Sequence, residues 1–141
     1  MQARRALLAA LLVPLAALAA APRVEAVLCR KIVDDKPFDV TTTFPRDAAA
    51  LHGHWKSKDG REGMVVRTVW IAEDVGKLAP PNTKVSENAT RLGKGLTGTR
   101  GDYWYSAFSL SRPTSGWPVG KYHAEIWFDA ELVKTLRFTI R

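Results

Sequence analysis

The last part of the chain, residues 117–140, restricts the fold more than any other stretch because its polar and apolar side chains alternate. Alternation with a period of two is typical of a strand with one buried face. The residues expected on the buried face are Tyr122, Ala124, Ile126, Phe128, Leu136, Phe138 and Ile140. A slip of one residue would bury Glu125 and Arg137 instead, so the pairing is well specified. The stretch therefore predicts a β-hairpin that reverses at residues 129–131.

Further strands are predicted along the rest of the chain, where β-branched and aromatic residues lie between turn residues. They fall at 27–33, 38–44, 51–56, 64–72 and 103–110. Lys58-Asp59-Gly60 favours a hairpin turn between the third and fourth of these strands. Residues 73–102 are rich in Gly and Pro and predict a loop with one short strand near 84–92. We expect one all-β domain, an antiparallel β-sandwich of about seven strands.

Five residues at the start of the final hairpin, Gly120-Lys121-Tyr122-His123-Ala124, resemble the tyrosine corner of immunoglobulin-like and fibronectin type III-like sandwiches. The resemblance implies an immunoglobulin-like fold, similar to that of small exported bacterial domains of this type. It also implies structural roles for Trp117, Gly120 and Tyr122. Ala124 stands where antibody-type domains carry a cysteine, so no inter-sheet disulfide is implied.

The same resemblance implies a tryptophan buried between the sheets, a place that Trp55 or Trp70 can fill. A fold group of this breadth is compatible with many functions. The resemblance therefore predicts an architecture and no particular activity.

Residues 1–26 have the pattern of a signal peptide. Arg4 and Arg5 precede an apolar stretch at 6–21, and Val24-Glu25-Ala26 places small residues before a cleavage point after Ala26. The alternative is an uncleaved anchor helix, but the apolar stretch is shorter than the about 20 residues needed to cross a bilayer. We expect an exported protein, periplasmic or secreted, whose mature domain is residues 27–141 and holds no membrane span.

Charge and cysteine content limit the classes of molecule that we expect the protein to bind. The chain carries a net charge of +7 with its basic residues scattered among acidic ones, which favours a solvated surface over a nucleic-acid groove. Cys29 is the one cysteine, so no internal disulfide can form. It is either a small buried residue of the first strand, a lipidation site or a link to another chain.

His52-Gly53-His54 is a candidate metal site because residues two apart on a strand project from the same face. Neutral imidazoles bind copper and zinc. If the strands are close, His123 can join them, with Glu125 or Asp129 as an oxygen ligand. The alternative is that these histidines are exposed polar residues and that the protein has no cofactor.

Tyr103, Tyr105 and Trp127 form a candidate binding platform because the alternation of their strands places them on outward faces. Exposed aromatic planes on adjacent strands can stack against sugars or contact a protein. The alternatives are that these rings cover the 73–102 loop or that they belong to the core.

Three short motifs carry little weight. Residues 93–98 match a dinucleotide fingerprint by letter without the surrounding βαβ unit. Arg100-Gly101-Asp102 and Asn88-Ala89-Thr90 match an integrin-binding tripeptide and a glycosylation acceptor, which are patterns frequent by chance. Ser111 and Ser115 lack the Gly-x-Ser-x-Gly context of a nucleophile elbow.

We therefore expect an exported, non-enzymatic binding or structural module that contacts a protein or an envelope polymer and does not bind nucleic acid. The alternative is a periplasmic copper- or zinc-binding protein that uses His52 and His54. The third hypothesis for the function is a hydrolase. The sequence leaves the oligomeric state open.

Overall fold

The structure is a computed structural model that describes residues 21–93 and 98–141. The apolar part of the predicted signal peptide and the centre of the 93–98 glycine motif lie outside these residues. The described residues form ten strands and one short 3-10 helix at Gly76–Leu78, which confirms the all-β prediction. The strands are β1 (Glu25–Val33), β2 (Lys36–Val40), β3 (Thr43–Phe44), β4 (Ala50–Ser57), β5 (Val65–Asp74), β6 (Thr83–Arg91), β7 (Gly98–Arg100), β8 (Tyr103–Ser111), β9 (Gly120–Phe128) and β10 (Glu131–Ile140).

The strands form two five-stranded sheets. The first sheet has the order β2-β1-β4-β8-β7 and the second the order β3-β10-β9-β5-β6. Neighbouring strands are antiparallel except β3 and β10, which run parallel. The structure has more strands than the predicted seven because the stretch predicted as 38–44 divides into β2 in the first sheet and β3 in the second, and because the short β7 adds an edge strand.

The final hairpin is confirmed in position and register. β9 pairs with β10, with Tyr122 opposite Phe138 and Ala124 opposite Leu136. The residues predicted on the inner face of β9 are all buried, at 3% exposure or less. The hydroxyl of Tyr122 donates to the carbonyl of Pro118. Burial raises the pKa of this hydroxyl.

The turn before β9 is held by close contacts. Trp117 is buried, and its indole N–H donates to the carbonyl of Ala48 at 2.7 Å. Gly120 begins β9 and lies against the end of β5, where an added Cβ would come within 2.1 Å of the Asp74 carbonyl oxygen. Trp117, Gly120 and Tyr122 therefore contribute packing contacts and hydrogen bonds around this turn.

Aromatic pairs join the two sheets across the core. The ring of Trp55 in β4 lies 5.4 Å from that of Phe128 in β9, and the ring of Trp70 in β5 lies 5.5 Å from that of Phe108 in β8. Phe108 packs directly over Gly53, where a Cβ would be 2.2 Å from the ring. Both candidate tryptophans thus lie in the interior, at 1% and 3% exposure.

The predicted hairpin between β4 and β5 is wrong. Lys58-Asp59-Gly60 leads from the first sheet to the second, and the two strands do not pair. Both strands have strongly apolar inner faces, and these bury more surface by packing across the sandwich than by lying side by side. The strand predicted near 84–92 is present as β6, and the 73–102 region also holds the 3-10 helix and β7, which were not predicted.

The first strand begins before the predicted cleavage point. β1 starts at Glu25, and Ala26 pairs with Trp55 of β4. Upstream, the backbone N–H of Arg23 donates to Asp59 at 2.6 Å, and the buried hydroxyl of Ser57 donates to the Arg23 carbonyl at 2.6 Å. Residues 23–26 therefore contact the folded domain, and the predicted cut after Ala26 lies within β1.

A chain that starts at Val27 is expected to be less stable than one that starts at Pro22. It lacks the two Arg23 hydrogen bonds and the packing of Val24 and Ala26 against the core. We expect a loss of about 2–4 kcal/mol in the free energy of unfolding, measured by urea titration of the two purified chains. Equal stabilities would show that residues 22–26 contribute nothing to the fold.

Candidate functional site

The outer face of the first sheet carries the candidate site. On β4 the residues His52, His54 and Lys56 point outward because Leu51, Gly53 and Trp55 point into the core. On β8 the outward residues include Tyr103 and Tyr105. The β4–β8 register puts Lys56 beside Tyr105 and His54 beside Ala107. This register brings a histidine, a lysine and two tyrosines onto one surface.

A cavity of 580 Å³ opens on this surface, a volume within the usual range for small-molecule and cofactor sites. Its floor comes from β1, β4 and β8, and its walls come from β7 and from the start of β2, which follows a tight turn after β1. Asp34 and Asp35 have φ values of 50° and 60°, the left-handed conformation that a type I′ turn requires. The lining residues are Glu25, Ala26, Val27, Lys36, Pro37, His54, Lys56, Arg100, Tyr103 and Tyr105.

Cationic side chains lie over both tyrosine rings of the cavity. The Nζ atoms of Lys56 and Lys58 are 5.2 and 5.0 Å from the centre of the Tyr103 ring. The Arg100 guanidinium is 5.1 Å from the centre of the Tyr105 ring. These distances are within the about 6 Å over which a cation is attracted by an aromatic face. The rings therefore fix the positions of the cations.

The Tyr105 ring is held on further sides. It stacks with the His54 ring at 6.0 Å between ring centres and 19° between planes. It also lies across Gly98 of β7, where an added Cβ would be 2.6 Å from the phenol oxygen. Tyr105 is thus a fixed part of the wall.

Positive charge exceeds negative charge around the cavity. The lining holds three permanently cationic side chains and one carboxylate, Glu25, which pairs with Lys56 at 3.2 Å. Within residues 21–93 and 98–141, no carboxylate lies within 4.0 Å of Lys36, Lys58 or Arg100. The cavity is consequently a cationic surface with an apolar floor.

Burial lowers the pKa of His54 below its ordinary value of 6.5, since partial desolvation disfavours the charged ring. Lys56 and Arg100 lower it further by charge repulsion, while the backbone and carboxylate of Asp35 act in the opposite direction. The ring is therefore neutral at pH 7. A neutral imidazole stacks on Tyr105 without adding another charge to the cavity.

The shift at His54 predicts acid sensitivity. The unfolded chain binds a proton at this histidine more readily than the folded chain, so stability falls as the pH drops through about 6.5. We expect His54→Gln to reduce the loss in free energy of unfolding between pH 7.5 and pH 5, measured by urea titration. The two proteins should differ in the slope of this pH dependence, and parallel curves would contradict the prediction.

The predicted three-histidine site is wrong. His52 and His54 lie on the outer face of the first sheet, whereas His123 lies on the outer face of the second, with the core between them. The ring nitrogens of His123 instead face Glu73 at 2.6 Å and Glu125 at 3.0 Å. In the part of the chain that the structure describes, no group of three or more His, Cys, Asp or Glu side chains is placed to hold a metal ion.

The three rings of the predicted aromatic platform also lie on two different sheets. Tyr103 and Tyr105 share the cavity, but Trp127 lies on β9 of the second sheet. Its indole N–H donates to Glu125 at 3.0 Å, and the Arg67 guanidinium lies 4.8 Å from its ring centre. The assumption that β8 and β9 are neighbours failed because consecutive strands of a sandwich often belong to different sheets.

Sequence reasoning missed Glu25, Lys36 and Arg100 as site residues. Glu25 falls within the signal-peptide pattern, and Arg100 falls within a loop tripeptide. The sequence signal for Lys36 is its position directly after the Asp34-Asp35 turn. The sequence does not show that this hairpin lies near His54, because that placement depends on tertiary packing.

Cys29 is fully buried in β1, and its cross-strand neighbour in β4 is His52. Burial raises the pKa of the thiol. A buried neutral thiol matches the prediction of a small apolar residue in the first strand and is poorly suited to reaction with solvent.

No protein-family model matches the chain, and no curated protein matches it significantly. One similar solved structure is the alkylpurine DNA glycosylase AlkC of Pseudomonas fluorescens bound to DNA containing an abasic-site analogue. The similarity has a TM-score of 0.40 at 11% identity and covers 83% of this chain and 30% of that one. A similarity this low carries no argument about function.

Within the described residues, no helix is long and apolar enough to cross a bilayer.

Proposed function

We propose that the chain is an exported, immunoglobulin-like, non-enzymatic module that binds an envelope polymer or a protein through the outer face of its first sheet. The strand order supports the immunoglobulin-like part. β1, β4, β8 and β7 follow the order A-B-E-D of such sandwiches, and β10, β9, β5 and β6 follow G-F-C-C′. The hydrogen bond from Tyr122 to Pro118 agrees with a tyrosine corner.

The observation that carries the binding proposal is the cavity around Tyr103 and Tyr105. It combines an apolar floor with fixed polar and charged groups at its rim, which is the composition of ligand sites in general. The outer face of the second sheet offers less to a partner. There the polar and aromatic side chains already make hydrogen bonds or cation–π contacts with one another; they are His123, Glu73, Glu125, Trp127 and Arg67.

The test compares the two faces. We expect the double variant Tyr103→Ala and Tyr105→Ala to reduce sedimentation of the purified domain with isolated cell-envelope fractions by about 10-fold, because aromatic anchors dominate binding surfaces. Trp127→Ala, an equally large deletion on the other sheet, serves as the control and should sediment like the unaltered protein. Circular dichroism verifies the fold of each variant. Equal sedimentation of all three proteins would refute a role for the first sheet.

A copper- or zinc-binding role is the second candidate. It is supported by the shared outward face of His52 and His54 and by the neutral state of the His54 ring, since neutral imidazole is the form that binds metal. Two histidine ligands leave coordination positions for water or substrate.

This second role predicts a one-to-one complex with Cu(II) in isothermal titration calorimetry. We expect His54→Ala to remove this complex and His123→Ala, on the opposite face, to leave it intact. Affinity no tighter than that of free imidazole would exclude the role.

A further inference from the structure

The tyrosine rings of the cavity present cations to solvent rather than bare aromatic planes. Tyr103 has Lys56 and Lys58 over its ring, and Tyr105 has Arg100 and the His54 ring against it. A ligand that enters the cavity therefore meets ammonium and guanidinium groups before it meets an aromatic face. This arrangement differs from a sugar-stacking or base-stacking platform, in which the ring faces are free.

Three cations of this face lack an ion-pair partner. Lys36, Lys58 and Arg100 have no carboxylate within 4.0 Å among the described residues. On the other sheet Lys121 and Lys134 also lack such a partner among the described residues, but several cations there are paired. Arg67 and Lys84 both pair with Glu87, at 2.9 and 2.7 Å, and Arg137 lies 3.5 Å from Glu73.

The environment of the cavity cations strengthens their attraction for an anion. Each of Lys58 and Arg100 is held over a ring, so less side-chain freedom is lost when a ligand binds. The apolar floor excludes water from one side of the site, which reduces dielectric screening. Guanidinium binds carboxylate with two parallel hydrogen bonds, which a single ammonium cannot do.

We infer that the ligand of this cavity is an acidic polysaccharide, a chain of sugar units that carry carboxylates. The inference rests on the proposed binding function of the first sheet and names the class of its ligand. The unpaired cations come from three separate places: Lys36 at the start of β2 and Arg100 in β7 line the cavity, and Lys58, after β4, lies beside it over Tyr103. They therefore match charges repeated along a polymer better than one isolated charge. A single-stranded nucleic acid is disfavoured because its bases need free aromatic faces.

The experiment uses a hexamer of a polyuronic acid and the same hexamer after reduction of its carboxyl groups to alcohols. We expect the acidic hexamer to bind the domain at least about 10-fold more tightly in calorimetry at low salt, and to lose this advantage as salt screens the charges. Arg100→Gln and Lys58→Gln should each weaken binding of the acidic hexamer by about 3- to 10-fold.

Arg67→Gln is the matched control, because Arg67 also lies over an aromatic ring but on the other sheet and in an ion pair. It should leave the affinity for the acidic hexamer within about 2-fold of the unaltered value, as expected for a charge remote from the site.

Each other result has a distinct meaning. Equal affinity for the acidic and reduced hexamers overturns the inference but leaves the proposed function intact. If neither hexamer binds while envelope fractions are still captured through Tyr103 and Tyr105, the inference is also overturned and the proposed function also stays intact. Tighter binding of a thymidine oligonucleotide, lost in Arg100→Gln, replaces the polysaccharide with a nucleic acid. Capture that does not depend on the two tyrosines removes the proposed function itself.

Discussion

The packing of Phe108 over Gly53 is the contact on which the rest of the structure depends. A side chain at position 53 would meet the ring at 2.2 Å, so Phe108 can lie across its cross-strand neighbour in the first sheet only because this residue has none. In this position Phe108 packs against Trp70 of the second sheet, and Trp55 packs against Phe128, so aromatic rings join the two sheets face to face. Because side chains alternate along β4, the inward position of Trp55 directs His54 and Lys56 outward into the cavity.

The two outer faces of the sandwich differ in the contacts that several of their charged groups make. On the second sheet, histidine, carboxylates and arginines form a connected set of hydrogen bonds and ion pairs around His123 and Trp127. The His123 pairs are largely buried, and their hydrogen bonds are already formed within the protein. On the first sheet, lysines and arginine rest on tyrosine rings, and most lack a carboxylate partner in the described part of the chain. This difference is the physical basis for assigning the binding face.

The sequence was most informative where one local rule determined the structure. Alternation predicted the β9–β10 hairpin, because burial of one face leaves a period-two pattern. It could not predict which strands are neighbours. His123 and Trp127 were assigned correctly to an outward face but combined with residues of the wrong sheet. Strand neighbours depend on how apolar faces pair across the whole core, and no local pattern records that choice.

The turn at Asp34-Asp35 gives the cavity a wall that is independent of the core. Lys36 and Pro37 reach the site from an edge hairpin, whereas the floor belongs to central strands fixed by the inter-sheet aromatic pairs. Depth and charge at the rim can therefore vary through the length and composition of one exposed turn while the interior stays unchanged. The fold separates the part that must be conserved for folding from the part that can diversify for recognition.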